Sequence, residues 1–274
     1  MTIPTLSIVI VNYNGREHLE NCLASLHSAP PATPHDIIVV DNASTDGSAD
    51  AVRERWPAVQ VLAQTSNVGF AAGNNAGIGA TTGSLVLLLN NDTIVPPGAV
   101  DALVARLLAD AEAAVAGPHL IDGEGRTELS FGRMMSPFNE LRQKLIVSMY
   151  DRGAAVAARW VQRAASREQH VDWVSGACLL VRRTDAEAAG GLDERYFLYA
   201  EDVDFCAAIR KLGRQVLFSP AACVIHLRGR SRSTEPARMN TAYRRSQVAF
   251  YEKHHSGWAP LLRLYLRVKG QLPR

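Results

Sequence analysis

The chain has 274 residues, 47% of them hydrophobic and 20% charged, with a net charge of +2. That composition belongs to a folded globular protein, long enough for one large α/β domain, and it excludes the disordered and fibrous classes. The balanced charge gives no support to a nucleic-acid partner, no apolar run is long enough to span a bilayer, and the first residues lack a signal peptide's basic stretch and cleavage site, so a cytoplasmic location is expected.

Leu6–Val11 and Ile37–Val40 are continuous apolar, β-branched runs, the pattern of strands buried on both faces. Between them, Glu17–His27 carries Leu19, Cys22, Leu23 and Leu26 at helical spacing. Strands are predicted at Val59–Leu62 and Leu85–Leu89, with helices at Ser48–Arg55, Ala71–Ala80 and, after Pro96–Pro97, Ala99–Ala109. Strands alternating with helices predict an α/β fold with a mostly parallel central sheet flanked by helices. Gly123–His170 is richer in Arg, Ala and Met and reads as a helical insertion, with helical patterns at Glu140–Met149 and Ala154–Ala165. The sheet resumes at Trp173–Val181. A helix is expected at Val203–Leu212, short strands at Gln215–Phe218 and Cys223–His226, and a Gly/Ser/Arg-rich loop at Gly229–Pro236. Helices over Met239–His255 and Pro260–Lys269 complete the chain. Cys22, Cys178, Cys206 and Cys223 have no CxxC spacing, which predicts buried free thiols and not a zinc site.

Several segments carry chemistry. Val40–Ser48 (VDNASTDGS) ends the second strand, and ligands of open α/β sheets bind beyond the carboxyl ends of the strands. Asp41 and Asn42 can read a nucleobase edge there, while Ser44, Thr45, Asp46 and Gly47 fit a tight turn opening the next helix. In Asn67–Gly79 (NVGFAAGNNAGIG), Gly69, Gly73 and Gly77 recur at every fourth position. Glycine in a helix costs about 1 kcal/mol against alanine, so something comes close: a neighbouring strand, or a ribose and base with Asn67 and Asn74 as polar partners. Leu87–Asp92 (LLLNND) is an apolar strand ending in two amides and a carboxylate. Mg²⁺ commonly joins one or two carboxylates to substrate phosphates, a role that suits Asp92. Phe197–Phe205 (FLYAEDVDF) sets Glu201 beside Asp202. Neighbours at a helix start point in different directions, so one acid can be a general base on an acceptor hydroxyl while the other holds the helix N-terminus or a cation. Asp204 reads as a helix cap or a surface residue. His226 reads equally as a packed polar residue or a ligand, and Arg228, Arg230 and Arg232 equally as a solvated loop or as phosphate partners.

As an ordered set, SIVIVNYNG, VDNASTDGS, NVGFAAGNN, LLLNND, SGACLLVRR, GGLDERYFLYAEDVDF and VIH resemble glycosyltransferase family 2, whose members have the GT-A fold. The likeness is good over Leu6–Asp92 and Asp172–Arg228 and is greatest to the bacterial rhamnosyltransferase branch. The resemblance implies a metal-dependent, inverting, non-processive hexosyltransferase. Its donor would be a dTDP- or UDP-sugar, dTDP-L-rhamnose in that branch, and its acceptor a saccharide hydroxyl, lipid-linked or on a cell-surface polysaccharide precursor. Val11, Tyr13, Asp41 and Asn42 would line the base pocket, with Asn67, Gly69 and Asn74 beside the nucleoside. Asn90, Asn91 and Asp92 occupy the DxD position, with Asp92 as ligand to Mg²⁺ or Mn²⁺ and His226 completing the metal site. Asp202 would be the base, with Glu201 beside it. Arg228 and Arg230 would meet the diphosphate, and Trp173, Ser175 and Gly176 would border the acceptor and the transferred sugar.

This DxD has one carboxylate where the pattern has two, which implies weaker metal binding. No QxxRW follows the acidic pair, which favours transfer of a single sugar. On this reading 1–238 is the catalytic domain, made of a nucleotide-sugar half (1–120), a helical insertion (121–172) and an acceptor half (173–238), and 239–274 is a helical C-terminal segment. A dehydrogenase would need GxGxxG where Asn12-Tyr13-Asn14-Gly15 stands, and a nucleotidyltransferase a Gly-rich basic loop. A degenerate sugar-nucleotide-binding protein would keep Asp41 and lose the base, whereas Glu201 and Asp202 are both present. Trp258–Arg274 is apolar and basic, so it reads either as core packing or as a helix lying in a membrane interface, giving peripheral contact with the inner face.

Overall fold

The computed structural model describes residues 5–227 and 236–271. The first half alternates as expected: β1 (Leu6–Asn12), α1 (Arg16–Ser28), β2 (His35–Asp41), α2 (Ser48–Arg55), β3 (Gln60–Ala63), α3 (Phe70–Gly79), β4 (Leu85–Asn90), β5 (Thr93–Ile94) and α4 (Ala99–Ala109). Then come β6 (Ala113–Ile121), β7 (Phe131–Gly132), α5 (Pro137–Asp151), α6 (Ala155–Ala165), β8 (Gln169–Val171), β9 (Trp173–Val174), β10 (Cys178–Arg182) and α7 (Arg183–Ala188). The chain continues through α8 (Glu201–Lys211) and β11 (Gln215–His226) to two C-terminal helices, α9 (Pro236–His254) and α10 (Ala259–Val268).

The main sheet has the order β3-β2-β1-β4-β10-β6-β11-β5, with β8 added on β11. β3, β2, β1 and β4 are parallel, and so are β6 and β11; β10 lies antiparallel between β4 and β6. The sheet is therefore mixed but mostly parallel, as expected, with β10, β5 and β8 running against the other strands. β10 pairs Cys178 with Leu89, so it starts where β4 ends and brings the residues before it to the same edge. Hydrophobic periodicity carries no information about strand direction.

Alternate faces of β1 serve two cores. Leu6, Ile8 and Ile10 pack with Leu19, Leu23 and Leu26 of α1 and with Val100, Leu103 and Leu107 of α4. Val9 and Val11 pack on the other side with Ala71 and Ile78 of α3, in a core that includes Phe205 and Ile209 of α8. The result is a helix–sheet–helix sandwich, and each buried Leu or Ile stabilises it by about 1.5–3 kcal/mol. A Cβ at Gly73 would lie 2.9 Å, and one at Gly77 2.3 Å, from a Cγ1 of Val11 and Val9 respectively. The neighbour that requires those glycines is β1.

Sequence periodicity missed β6. Its segment AAVAGPHLI has small residues and a Gly-Pro pair, poor material for a strand. Burial on both faces explains the composition: a Cβ at Gly117 would stand 2.6 Å from Val174. The 121–172 insertion is not wholly helical, since β7 pairs with β9 and β8 joins the main sheet. Arg182 donates to the Leu107 and Asp110 carbonyls at the end of α4 and to that of Ala113 at the start of β6, and Arg183 to the Ile78 carbonyl at the end of α3 and to that of Gly83 before β4. The adjacent arginines thus satisfy carbonyls that two helix ends leave open. Cys22, Cys178 and Cys206 are buried free thiols, as expected, and Cys223 is part-buried.

Candidate active site

The edge where β1, β2 and β4 end and β10 begins gathers most of the predicted residues. Asp41 is buried: one carboxylate oxygen accepts from Asn12 Nδ2 at 3.2 Å and the other from the Ser44 amide at 3.0 Å. Asn12 in turn accepts from Asn91 Nδ2 at 2.7 Å, which ties the ends of β1, β2 and β4 together. Asn42 donates to the Gly69 carbonyl at 3.0 Å, and its own amide oxygen is buried without a partner. Asp46 accepts from the Arg16 and Ser48 amides and so closes the starts of α1 and α2, the turn role expected of this stretch. Val11 is buried beneath α3, whereas Tyr13, the residue directly after β1, is 48% exposed.

Asn67 accepts from the Gly69 amide, and Asn74 donates to the Phe70 carbonyl within its own helix, so their polar groups partly serve the local backbone. The Asn74 amide oxygen stays buried and unpartnered. Gly69 has φ +90, and a Cβ there would lie 2.6 Å from the Phe197 carbonyl, which also accepts from the Phe70 amide at 2.7 Å. The start of α3 therefore sits against the loop that leads to the acidic pair.

That loop is strained. Tyr199 (φ 72) and Ala200 (φ 67) are consecutive non-glycine residues in the left-handed region, at a cost of about 1–2 kcal/mol each. Such backbone persists only where its surroundings over-determine it, and it clusters at functional sites. Here α9 holds it. Ser246 Oγ donates to the Leu198 carbonyl at 2.7 Å, and the Tyr199 and Tyr243 rings meet edge-on. Asp204 is neither a cap nor a surface residue, as the sequence reading had it. It is buried and accepts from Lys253 at 2.8 Å, His254 at 2.6 Å and Tyr196 at 3.3 Å.

The two adjacent acids have different surroundings. Glu201 is only 5% exposed, and one of its carboxylate oxygens has no partner. Burial, reinforced by the charge of Asp202, pushes its pKa well above the usual carboxylate range. Asp202 is half-buried and fixed at both oxygens, accepting from the Gly176 and Val203 amides at 2.8 Å each. Burial raises its pKa too, and those two N–H bonds only partly oppose the rise. Gly176 packs between Asp202 and the Phe70 ring; Ser175 donates its amide to the Ser130 carbonyl, and Trp173 its indole N–H to the Arg133 carbonyl. The predicted acceptor-side residues thus continue from Asp202 along β9 towards the insertion.

At the end of β4, Asp92 lies 3.3 Å from His226 Nε2, and the other ring nitrogen faces Glu128 at 3.2 Å. Burial disfavours the imidazolium, but hydrogen bonds to the two carboxylates outweigh it and hold the pKa up at about 9. Asn90 Nδ2 is 3.4 Å from the same Nε2, and Asn90 Oδ1 is buried without a partner. Among the described residues no group of three or more His, Cys, Asp or Glu side chains is arranged around a metal position. Arg228 and Arg230 lie outside the described residues.

Sequence reasoning missed Asn12, Glu128, Ser246, Lys253 and His254. Asn12 had a visible signal, a polar residue closing an apolar strand. The other four meet the site only through tertiary contacts.

A family model described as Glycosyl transferase family 2 matches residues 7–168. The chain is 33% identical to an N-acetylglucosaminyl-diphospho-decaprenol L-rhamnosyltransferase of Mycobacterium tuberculosis, over 98% of this chain and 94% of that one. The fold is similar to that of the mannosyltransferase PcManGT from Pyrobaculum calidifontis, solved with GDP-Man and Mn²⁺, with TM-score 0.63, 19% identity and coverage of 96% of this chain and 69% of that one. It is also similar to GalNAc-T7, solved with UDP, GalNAc and Mn²⁺, with TM-score 0.61, 17% identity and coverage of 82% and 44%.

Proposed function

Since the chain belongs to glycosyl transferase family 2 and has the GT-A fold, we propose that this glycosyltransferase moves one L-rhamnosyl residue from dTDP-L-rhamnose to a hydroxyl of a lipid-linked saccharide, with inversion. The observation that carries the chemistry is Asp202: a carboxylate at the sheet edge, fixed by two amides and more basic than an ordinary aspartate. Identity to a mycobacterial L-rhamnosyltransferase over nearly the full length of both chains supports the sugar and the lipid-linked acceptor.

Asp202 takes the proton of the acceptor hydroxyl as that oxygen attacks the anomeric carbon from the face opposite the diphosphate. A correctly placed base contributes about 10²–10⁴ in rate. One displacement inverts the configuration and needs no nucleophile from the protein. Glu201, whose burial pushes its pKa well above the usual carboxylate range, supports the start of α8 and leaves Asp202 as the base of the pair. Tyr13, exposed at the edge, is assigned to the face of the base, Asp41 and Asn42 to its polar rim, and Arg228 and Arg230 to the diphosphate.

The residues at the end of β4 fit a divalent cation. Asp92 offers a carboxylate oxygen, His226 an imidazole nitrogen once a cation displaces its proton, and Asn90 a buried, unpartnered amide oxygen, a mixed set that suits Mn²⁺ or Mg²⁺ completed by diphosphate oxygens. When bound, such an ion neutralises negative charge on the leaving diphosphate. A panel of nucleotide sugars with a lipid-linked acceptor, read by released nucleoside diphosphate, tests the proposal: dTDP-L-rhamnose is expected to be the preferred donor. Preference for a GDP-sugar, or GDP binding tighter than dTDP and UDP in calorimetry, would overturn it.

A further inference from the structure

The C-terminal helix was expected either to pack into the core or to lie on a membrane, and the structure divides it between the two. On α10, Ala259 and Leu266 are buried and Leu262 packs against the cluster around Tyr196 and Phe250. Leu261, Leu264, Tyr265 and Val268 are exposed, Val268 at 79%. Their spacing of three, one and three residues puts them on one stripe, pointing away from the buried face.

A second such stripe lies on α5, which has no buried residue at all. Phe138, at 75% exposure, leads Leu141, Leu145 and Met149 along one side of that helix. The stripes meet: the Phe138 and Trp258 rings stand edge-to-face with centroids 6.3 Å apart. More than half of the exposed large hydrophobic side chains among the described residues fall on α5, α10 and their junction. A soluble monomer rarely gathers so many in one place without a partner for them.

The charges around the stripes select the partner. Residues 256–271 include Arg263, Arg267 and Lys269 and no acid. On α5, α6 and the turn between them, Arg142, Lys144, Arg152, Arg159 and Arg163 outnumber Glu140 and Asp151. Glu140 is moreover turned inward, accepting from Tyr251 and Gln247 of α9. A second copy of the chain would bring like charges together across a two-fold interface. An apolar stripe whose border has more bases than acids, with Arg263 paired to Glu252, and Arg267 and Lys269 beside it, fits anionic lipid headgroups over an acyl layer.

We propose that α5 and α10 together form a docking face for an anionic bilayer surface, with Phe138 and Trp258 at its centre. This deepens the lipid-linked-acceptor reading and rests on it for its purpose, since an acceptor in the bilayer must be met at that surface. The same bonds from Glu140 join α5 to α9, the helix that holds the catalytic loop, so the docked face and Asp202 are parts of one packed unit.

The test is co-sedimentation of the full chain with phosphatidylglycerol-containing vesicles and with pure phosphatidylcholine vesicles, at low and high salt, without acceptor. Binding is expected to the anionic vesicles, weakening as salt rises. The pairs Leu141→Glu with Leu145→Glu, and Leu264→Glu with Val268→Glu, are each expected to weaken it by at least about tenfold. All four positions are solvent-exposed, so circular dichroism and dTDP binding are expected to stay as in the parent. Equal binding to both vesicle types, no binding to either, or a dimer in light scattering that these substitutions dissolve would each overturn the docking face. Transfer to acceptor dispersed in detergent separates the two proposals: if transfer proceeds there while vesicles are ignored, the docking face fails and the proposed function stands.

Discussion

Two glycines of α3 give opposite expectations for one substitution. A Cβ at Gly77 would lie 2.3 Å from Val9 Cγ1 and 3.1 Å from Val40 Cγ2, whereas a Cβ at Gly79 meets nothing within 4 Å. Both lie within the helix, so alanine lowers the entropy of the unfolded chain at either and gains about 0.4–1 kcal/mol. At Gly79 nothing opposes the gain, and Gly79→Ala is expected to stabilise by that amount. At Gly77 the obstacle is a fully buried β-branched side chain on a central strand, with little rotamer freedom. The overlap reaches roughly 1 Å inside normal carbon contact. Overpacking costs about 1–3 kcal/mol, and a clash this deep belongs at the upper end, so Gly77→Ala should lose about 2 kcal/mol net. At roughly 2–4 °C per kcal/mol for a chain of this size, Gly79→Ala raises Tm by a few degrees at most and Gly77→Ala lowers it by about 4–8 °C. Calorimetric melts with parallel urea titrations read both. A neutral or stabilising Gly77→Ala would refute the packing argument and return this glycine to the donor site.

Asp202→Asn keeps the shape and one of the two N–H contacts but removes the proton acceptor, so it should bind donor as the parent does and lose at least about 10² in kcat. Glu201→Gln replaces a buried acid, whose pKa burial pushes up, with a neutral isostere and should stay near parental activity; a crippled Glu201→Gln would reverse the assignment within the pair. Because the Asp202 pKa is raised, its basic form is lost earlier as pH falls, so the acid limb of kcat/KM should lie above the ordinary aspartate value of about 3.9; a limb at or below that value contradicts the burial argument. Turnover should stop in excess chelator, return with Mn²⁺ or Mg²⁺, and be lost in Asp92→Ala; full activity in chelator rules out the metal reading. Asp204→Ala leaves Lys253 and His254 without their buried partner and should cost about 2–4 kcal/mol, less than the full penalty for a broken buried pair because Lys253 is part-exposed and keeps Asp193; a Tm equal to the parent's would show that the clamp does not hold the catalytic loop.

The sequence alone determined the alternating half of the fold, because strands buried on both faces and helices with one apolar side leave local signatures. The bounds of α2 and α4 were legible to the residue. So were the site segments, since polar residues that end abruptly apolar strands can only lie at the sheet edge. Tertiary structure decided what has no local signature. β6 is built of small residues because its neighbours leave room for nothing larger, and small residues look like loop. The direction of β10 depends on how the chain re-enters the sheet, which periodicity cannot encode. Asp204 read as a helix cap or a surface residue because its partners stand about 50 residues away on α9. The stripe on α5 was legible only as a helix; that it is exposed, and that it meets α10 through Phe138 and Trp258, follows from where the insertion and the C-terminus come to rest. Sequence records what a segment can bury, and only the packed chain shows which of its faces is left uncovered.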